Sequence, residues 1–297
     1  MSGYLEHFGF KVKPFAATPD PQFAYGTREH QLAVAKIQYA VEERQGIFLL
    51  QGEVGAGKTT VSQFMLNAWR DDESLVVAHI TNPSVRTASQ FLRLILAHFG
   101  EEAAHFQSDN WDALRGFLVG NYKSGKTTVL VIDEAQTISA ENMETLTHIS
   151  NEQTQKDKLI QIVLLAQPNI ARKLTYKPAL RDRIAHGSTL NPLSFQDAVA
   201  MMRHRVQVAG GNFDTLFPGE QLHRRLYNIT KGVPRRLCML CDNALLNAFA
   251  MGAKMVDDQT ISDALDDLAF KGWKESESGA DRDTKSTSKP SKKGAKK

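Results

Sequence analysis

The segment Gly52-Glu53-Val54-Gly55-Ala56-Gly57-Lys58-Thr59 satisfies G-x-x-x-x-G-K-[ST] at every fixed position. This pattern restricts a fold tightly, because it works only between a buried strand and the start of a helix. Both flanks fit. Ile47-Phe48-Leu49-Leu50 precedes it as an apolar, strand-like run. Thr60-Val61-Ser62-Gln63-Phe64-Met65-Leu66-Asn67-Ala68-Trp69 follows with apolar residues at helical spacing. The glycines let the backbone curl so that successive N–H groups point inward, and the helix start adds partial positive charge. The loop therefore predicts a phosphate site. Lys58 would reach the β- and γ-phosphates, and Thr59 would offer its hydroxyl to magnesium.

A second element supports the first. Thr128-Val129-Leu130-Val131-Ile132 is a continuous apolar, β-branched run, as expected of a strand buried on both faces. It ends in Asp133-Glu134-Ala135-Gln136. A carboxylate at such a strand end, beside a phosphate loop, supplies the second magnesium contact of P-loop enzymes, which assigns Asp133. Glu134 next to it is placed to orient and deprotonate an attacking water. Ser124-Gly125-Lys126-Thr127 repeats the letters G-K-T but lacks the upstream glycine and leads into a strand, so it reads as a turn.

The 297 residues hold one large or two modest domains. A formal charge of +3 does not by itself demand a nucleic-acid partner. There is no apolar run of about 18 residues and hence no expected transmembrane helix. Met1–His7 lacks a basic region followed by an apolar core, so no signal peptide is expected, and the chain reads as cytoplasmic. Cys238 and Cys241 form a C-x-x-C inside an apolar, helix-like run; without a second pair they read as buried packing and not as a zinc site.

Four segments emerge. Residues 1–26 alternate proline and aromatics with few helical signals and read as an arm packed onto the domain. Residues 27–192 begin with a helix over 28–43. Strands are then expected at 47–51, 75–80, 128–132, 159–165 and about 185–190, with helices at 57–70, 87–99, 110–121, 139–152 and 168–174. That alternation predicts an α/β fold, a parallel sheet flanked by helices with nucleotide at the carboxyl ends of the strands. Residues 193–272 carry helical signals only, at 194–208, 217–229, 234–252 and 258–269, and read as an all-helical lid domain. Residues 273–297 are rich in Ser, Lys, Gly and Thr, end in a lysine run and read as a disordered basic tail. Its two readings are an arm for nucleic acid or anionic membrane, and a solubilising tail.

Several of these segments resemble the general secretion pathway protein A (ExeA) family of AAA+ ATPases. They include Tyr4-Leu5-Glu6-His7-Phe8-Gly9-Phe10 with Pro14-Phe15, the glycine loop through Thr60, Asn82-Pro83, and Asp133-Glu134-Ala135-Gln136. Leu164-Leu165-Ala166-Gln167-Pro168 and Gly232-Val233-Pro234-Arg235 with Leu240-Cys241-Asp242-Asn243-Ala244-Leu245 extend the match to about residue 270. The resemblance implies an AAA+ fold and ATP with Mg2+ as cofactors. It implies that Gly52, Glu53, Val54, Gly55, Ala56, Gly57, Lys58, Thr59 and Thr60 bind nucleotide, with Thr59 and Asp133 on the metal. Gln167 falls at the first sensor position and Arg235 at the lid sensor. Arg183 falls where a neighbouring subunit's arginine finger is expected; Arg181 satisfies the same spacing. Tyr25-Gly26-Thr27-Arg28-Glu29-His30 falls where such ATPases build the adenine pocket. Well-known members continue into a membrane span and a peptidoglycan-binding region that this sequence lacks, so it reads as a soluble form.

Three functions follow. The first is an oligomeric ATPase, a ring of unspecified size, that couples nucleotide state to assembly of a secretion, pilus or other envelope machine. The second is an AAA+ regulator that forms ATP-dependent rings or filaments on duplex DNA and serves a transposase; the lysine tail and Arg203-His204-Arg205 motivate it. The third is a nucleotide-binding scaffold that does not hydrolyse, against which Asp133 and Glu134 argue.

Overall fold

The computed structural model describes residues 2–16 and 21–272. Five strands form one parallel sheet: β1 (Ile47–Gly52), β2 (Leu75–Ile80), β3 (Thr127–Ile132), β4 (Ile160–Ala166) and β5 (Ile184–Leu190). Their spatial order is β2-β3-β4-β1-β5. The strand of the glycine loop and the strand of Asp133 are thus separated by β4, whose end carries Gln167. The parallel register brings those three carboxyl ends to one rim, with Gln51 beside Ala166 and Ile132 beside Leu164.

Side-chain alternation sorts the strands between two cores. Ile47, Leu49, Leu130, Ile132, Ile162 and Leu164 point to one face, under α4 (Ala88–His98), α5 (Gln107–Lys123) and α6 (Ala140–Ile149). Phe48, Leu50, Val129, Val131, Val163 and Leu165 point to the other, under α2 (Arg28–Glu42) and α3 (Lys58–Trp69). Burial on both faces is why β3 and β4 carry the apolar runs Val129–Ile132 and Ile162–Ala166. Two short helices, α7 (Ile170–Thr175) and α8 (Pro178–Arg181), connect β4 to β5; sequence signals suggested one. Pro178 sits in the first turn of α8, where its missing N–H costs nothing.

The rest of the described chain is helical: α9 (Phe195–Val208), α10 (Phe213–Leu216), α11 (Glu220–Thr230), α12 (Pro234–Ala250) and α13 (Asp258–Asp267). Cys241 is fully buried there, its Sγ 3.6 Å from the Met202 sulfur, so the cysteine pair serves packing. The start of the chain differs from its sequence reading. It forms a helix, α1 (Ser2–Phe8), where the sequence shows few helical signals, and it packs onto the helical region. Tyr4, Phe8, Phe10, Phe15 and Phe23 join one apolar cluster with Phe217, Leu240 and Ala248. Tyr4 meets Phe8 and Phe249 edge-on at 5.4 and 5.8 Å, and Phe15 meets Phe217 at 5.9 Å. Such ring pairs add about 0.5–1.5 kcal/mol each beyond burial. Seven residues are too few for a helix stable by itself; its face against α12 holds it, which is why local signals missed it.

Arg203-His204-Arg205 lies on α9. Arg203 makes a two-pronged pair with Asp214 (2.6 and 2.8 Å) and stacks over Phe213. Arg205 donates to the carbonyls of Pro14 (2.8 Å) and Phe23 (3.2 Å) and clamps the arm. The His204 ring lies 5.8 Å from that of Tyr25. Both arginines thus make contacts within the protein itself. The basic tail lies outside the described residues.

Candidate nucleotide site

The glycine loop curls as its sequence requires. Gly55 and Gly57 take positive φ angles of 81° and 101°, a region that costs other residues strain. Gly57 caps α3 without any side-chain hydrogen bond, which leaves the N–H groups of that first turn to an anion. The Lys58 ammonium donates to the carbonyls of Gly52 (2.8 Å) and Glu53 (3.2 Å). It is 6% exposed, and burial pushes its pKa below the ordinary lysine value; the carboxylates of Glu134, Asp133 and Glu53 oppose that fall. Those carboxylates are therefore close enough to act on Lys58. Thr59, in the first turn of α3, is exposed.

Asp133 continues β3, its N–H donating to Ile80 O at 2.8 Å. Burial raises its carboxyl pKa above the usual value, and the Glu134 charge adds to this; the Glu134 N–H (2.8 Å to Oδ1), His79 and Lys58 pull the other way. Glu134 adopts φ +50°, a left-handed conformation that few non-glycine residues take. Its Oε2 accepts hydrogen bonds from the side-chain amides of Gln167 (3.2 Å) and Gln136. Among the described residues, no cluster of three or more His, Cys, Asp or Glu side chains has metal-holding form. Asp133 and the Thr59 hydroxyl alone suit a hard cation that takes its other ligands from phosphate and water, as Mg2+ does.

The helical region reaches the loop through Arg235. Its backbone N–H lies 3.4 Å from Gly55 O, and a Cβ on Gly55 would stand 2.5 Å from the Arg235 Cβ. The other cations lie elsewhere. Arg183 and Arg181 precede β5, whereas the loop follows β1, and Gly52 pairs with Leu190 at the far end of β5. The two arginines are thus about 20 Å from the loop of their own chain. Arg183 donates to Asn151 Oδ1 (2.7 Å) and Ala179 O (2.6 Å), and Arg181 pairs with Asp182.

Two residues that the motifs included without a role of their own make specific contacts at the site. His30 accepts at Nδ1 from the Thr27 N–H (3.2 Å), completing the capping box that starts α2, and its ring packs against Gly57. Gln136 is buried and bridges Glu134 to the end of β4. The spacing of Thr27 and His30 was a readable signal for the cap; nothing local announced the ring's position on the loop.

This fold and rim of residues define an AAA+ domain of the P-loop nucleotide-binding class. The AAA domain family (AAA_22) matches residues 41–174. General secretion pathway protein A of Aeromonas hydrophila is 34% identical over 267 residues, which are 87% of this chain and 47% of that protein. The chain is thus a general secretion pathway protein A-like AAA+ ATPase that spans about half the length of that relative. Structural neighbours include the Aeropyrum pernix ORC2 protein in ADPNP–ADP complexes (TM-score 0.63, 19% identity, 87% of this chain and 72% of that one). Drosophila ORC bound to DNA is another (TM-score 0.64, 17% identity, 90% and 65%). Among the described residues no helix is long and apolar enough to cross a membrane.

Proposed function

We propose that the chain binds ATP with Mg2+ and hydrolyses it as an oligomer, and that nucleotide state is coupled to assembly of a secretion or other envelope machine. The convergence of Lys58, Asp133, Glu134 and Gln167 around one uncapped helix start carries the reading. Lys58 would neutralise phosphate charge, while Thr59 and Asp133 would hold the metal. Bound Mg2+ supplies charge neutralisation at the phosphates. Glu134 would accept the proton of the attacking water, and Gln167 would hold that carboxylate in place. Arg235, resting on Gly55, would tie the helical region to the state of the loop. Similarity to general secretion pathway protein A supports the envelope setting.

The decisive experiment compares ATP binding and turnover in the wild type and Glu134→Gln. Wild-type turnover that needs Mg2+ and falls by about a hundredfold or more in the variant, with binding kept, supports the assignment. A variant as fast as the parent overturns it.

A further inference from the structure

Gln136 follows Glu134 by two residues, in the 3-10 turn Ala135–Thr137, and is 6% exposed. The orientation of its amide is fixed by its neighbours. The backbone N–H of Gln167 can only donate, so the Gln136 Oε1, 2.9 Å away, must face it. That leaves Nε2 toward Glu134 Oε2, which as a carboxylate can only accept. Gln167 closes the circuit from the other side with its own side-chain amide on the same oxygen (3.2 Å). The carboxylate of Glu134, whose backbone sits at φ +50°, is therefore held by donors from its own turn and from the end of β4. A strained backbone of this kind persists only where its surroundings over-determine it.

We propose that Gln136 is a positioning residue for hydrolysis: it locks the Glu134 carboxylate to the end of β4 through a one-directional relay from the Gln167 N–H. The proposal rests on the reading of Glu134 as the base. Gln136 donates to one carboxylate oxygen and leaves the other to serve water. Its second bond makes the carboxylate move with β4, so displacement of that strand end also displaces the base.

The test uses two variants of the full chain. Gln136→Glu keeps length and volume and can still accept from the Gln167 N–H, but cannot donate to Glu134 when ionised. Gln136→Met removes both bonds. For Gln136→Glu, kcat should fall about tenfold or more while KM for ATP stays within about threefold, the signature of a group that acts after binding. Hydrogen exchange at the Gln167 N–H should stay slow in Gln136→Glu and quicken about tenfold in Gln136→Met, the equivalent of one lost hydrogen bond. Wild-type kcat in a folded, nucleotide-binding Gln136→Glu protein overturns the proposal, as does unchanged Gln167 exchange in Gln136→Met. If the wild type binds ATP without turning it over, the hydrolytic reading falls instead, and the exchange comparison alone decides whether the relay exists.

Discussion

A Cβ placed on Gly57 would lie 2.3 Å from Nε2 of His30. The imidazole of one helix start fills the space left by the missing side chain at the other, so α2 and the glycine loop are fitted to each other. Gly57 also sits at φ 101°. Gly57→Ala should therefore lose about 1–2 kcal/mol from backbone strain alone, displace His30, and weaken nucleotide binding. Thermal unfolding and calorimetry with ATP check this. A Gly57→Ala,His30→Ala double variant should recover part of the affinity; no recovery would show that the clash is not the cause.

His30 also sets a pH dependence. Burial lowers its pKa, while the Ala56 backbone and the carboxylates of Glu29 and Asp197 oppose the fall. The folded protein thus keeps His30 neutral where the unfolded chain, with an ordinary value of about 6.5, already binds a proton. The unfolded state then binds more protons, so stability falls as pH drops from about 6.5 to the lower folded value. His79 is shifted the same way by burial and adds its own slope. Denaturant unfolding at pH 7.5 and 5.5 should show a smaller loss in His30→Gln than in the parent. Equal losses would mean that His30 does not stay neutral.

Lys58→Ala removes the cation that rests on the Gly52 and Glu53 carbonyls. Hydrogen bonds to charged groups contribute about 1.5–3 kcal/mol, so ATP should bind about 10- to 100-fold more weakly. The Lys58 contacts are local to the loop, so the fold should survive. Calorimetry reads both enthalpy and affinity; an unchanged affinity would place the phosphates elsewhere.

Arg183 and Arg181 cannot serve the site of their own chain, because they stand at the opposite end of β5. Arg183→Ala should abolish turnover with binding intact, whereas Lys58→Ala should lose turnover because it binds ATP poorly. Mixed together, the two proteins should regain activity, since a subunit with an intact loop can meet an intact arginine from its neighbour. A mixture that stays dead, beside an active Arg181→Ala mixture control, would rule out exchange of Arg183 between subunits. If Arg183→Ala alone keeps full activity, Arg181 is the residue to test.

The amino-acid sequence by itself determined the chemistry of the loop and the sheet behind it. Glycine spacing fixes where the backbone can curl, and apolar runs such as Val129–Ile132 and Ile162–Leu165 permit little but buried parallel strands. Those signals are local, lying within one turn or one strand, so they survive in linear form. Tertiary structure alone decided that α1 folds against α12, that Arg203 and Arg205 are held by Asp214, Pro14 and Phe23, that the His30 ring fills the space beside Gly57, and that Gln136 joins Glu134 to the Gln167 N–H. It also separated Arg183 from its own loop by the length of a strand. Each of these depends on residues distant in sequence meeting in space. The energy of such a meeting comes from desolvation and hydrogen-bond completion at the contact, and local periodicity does not encode either.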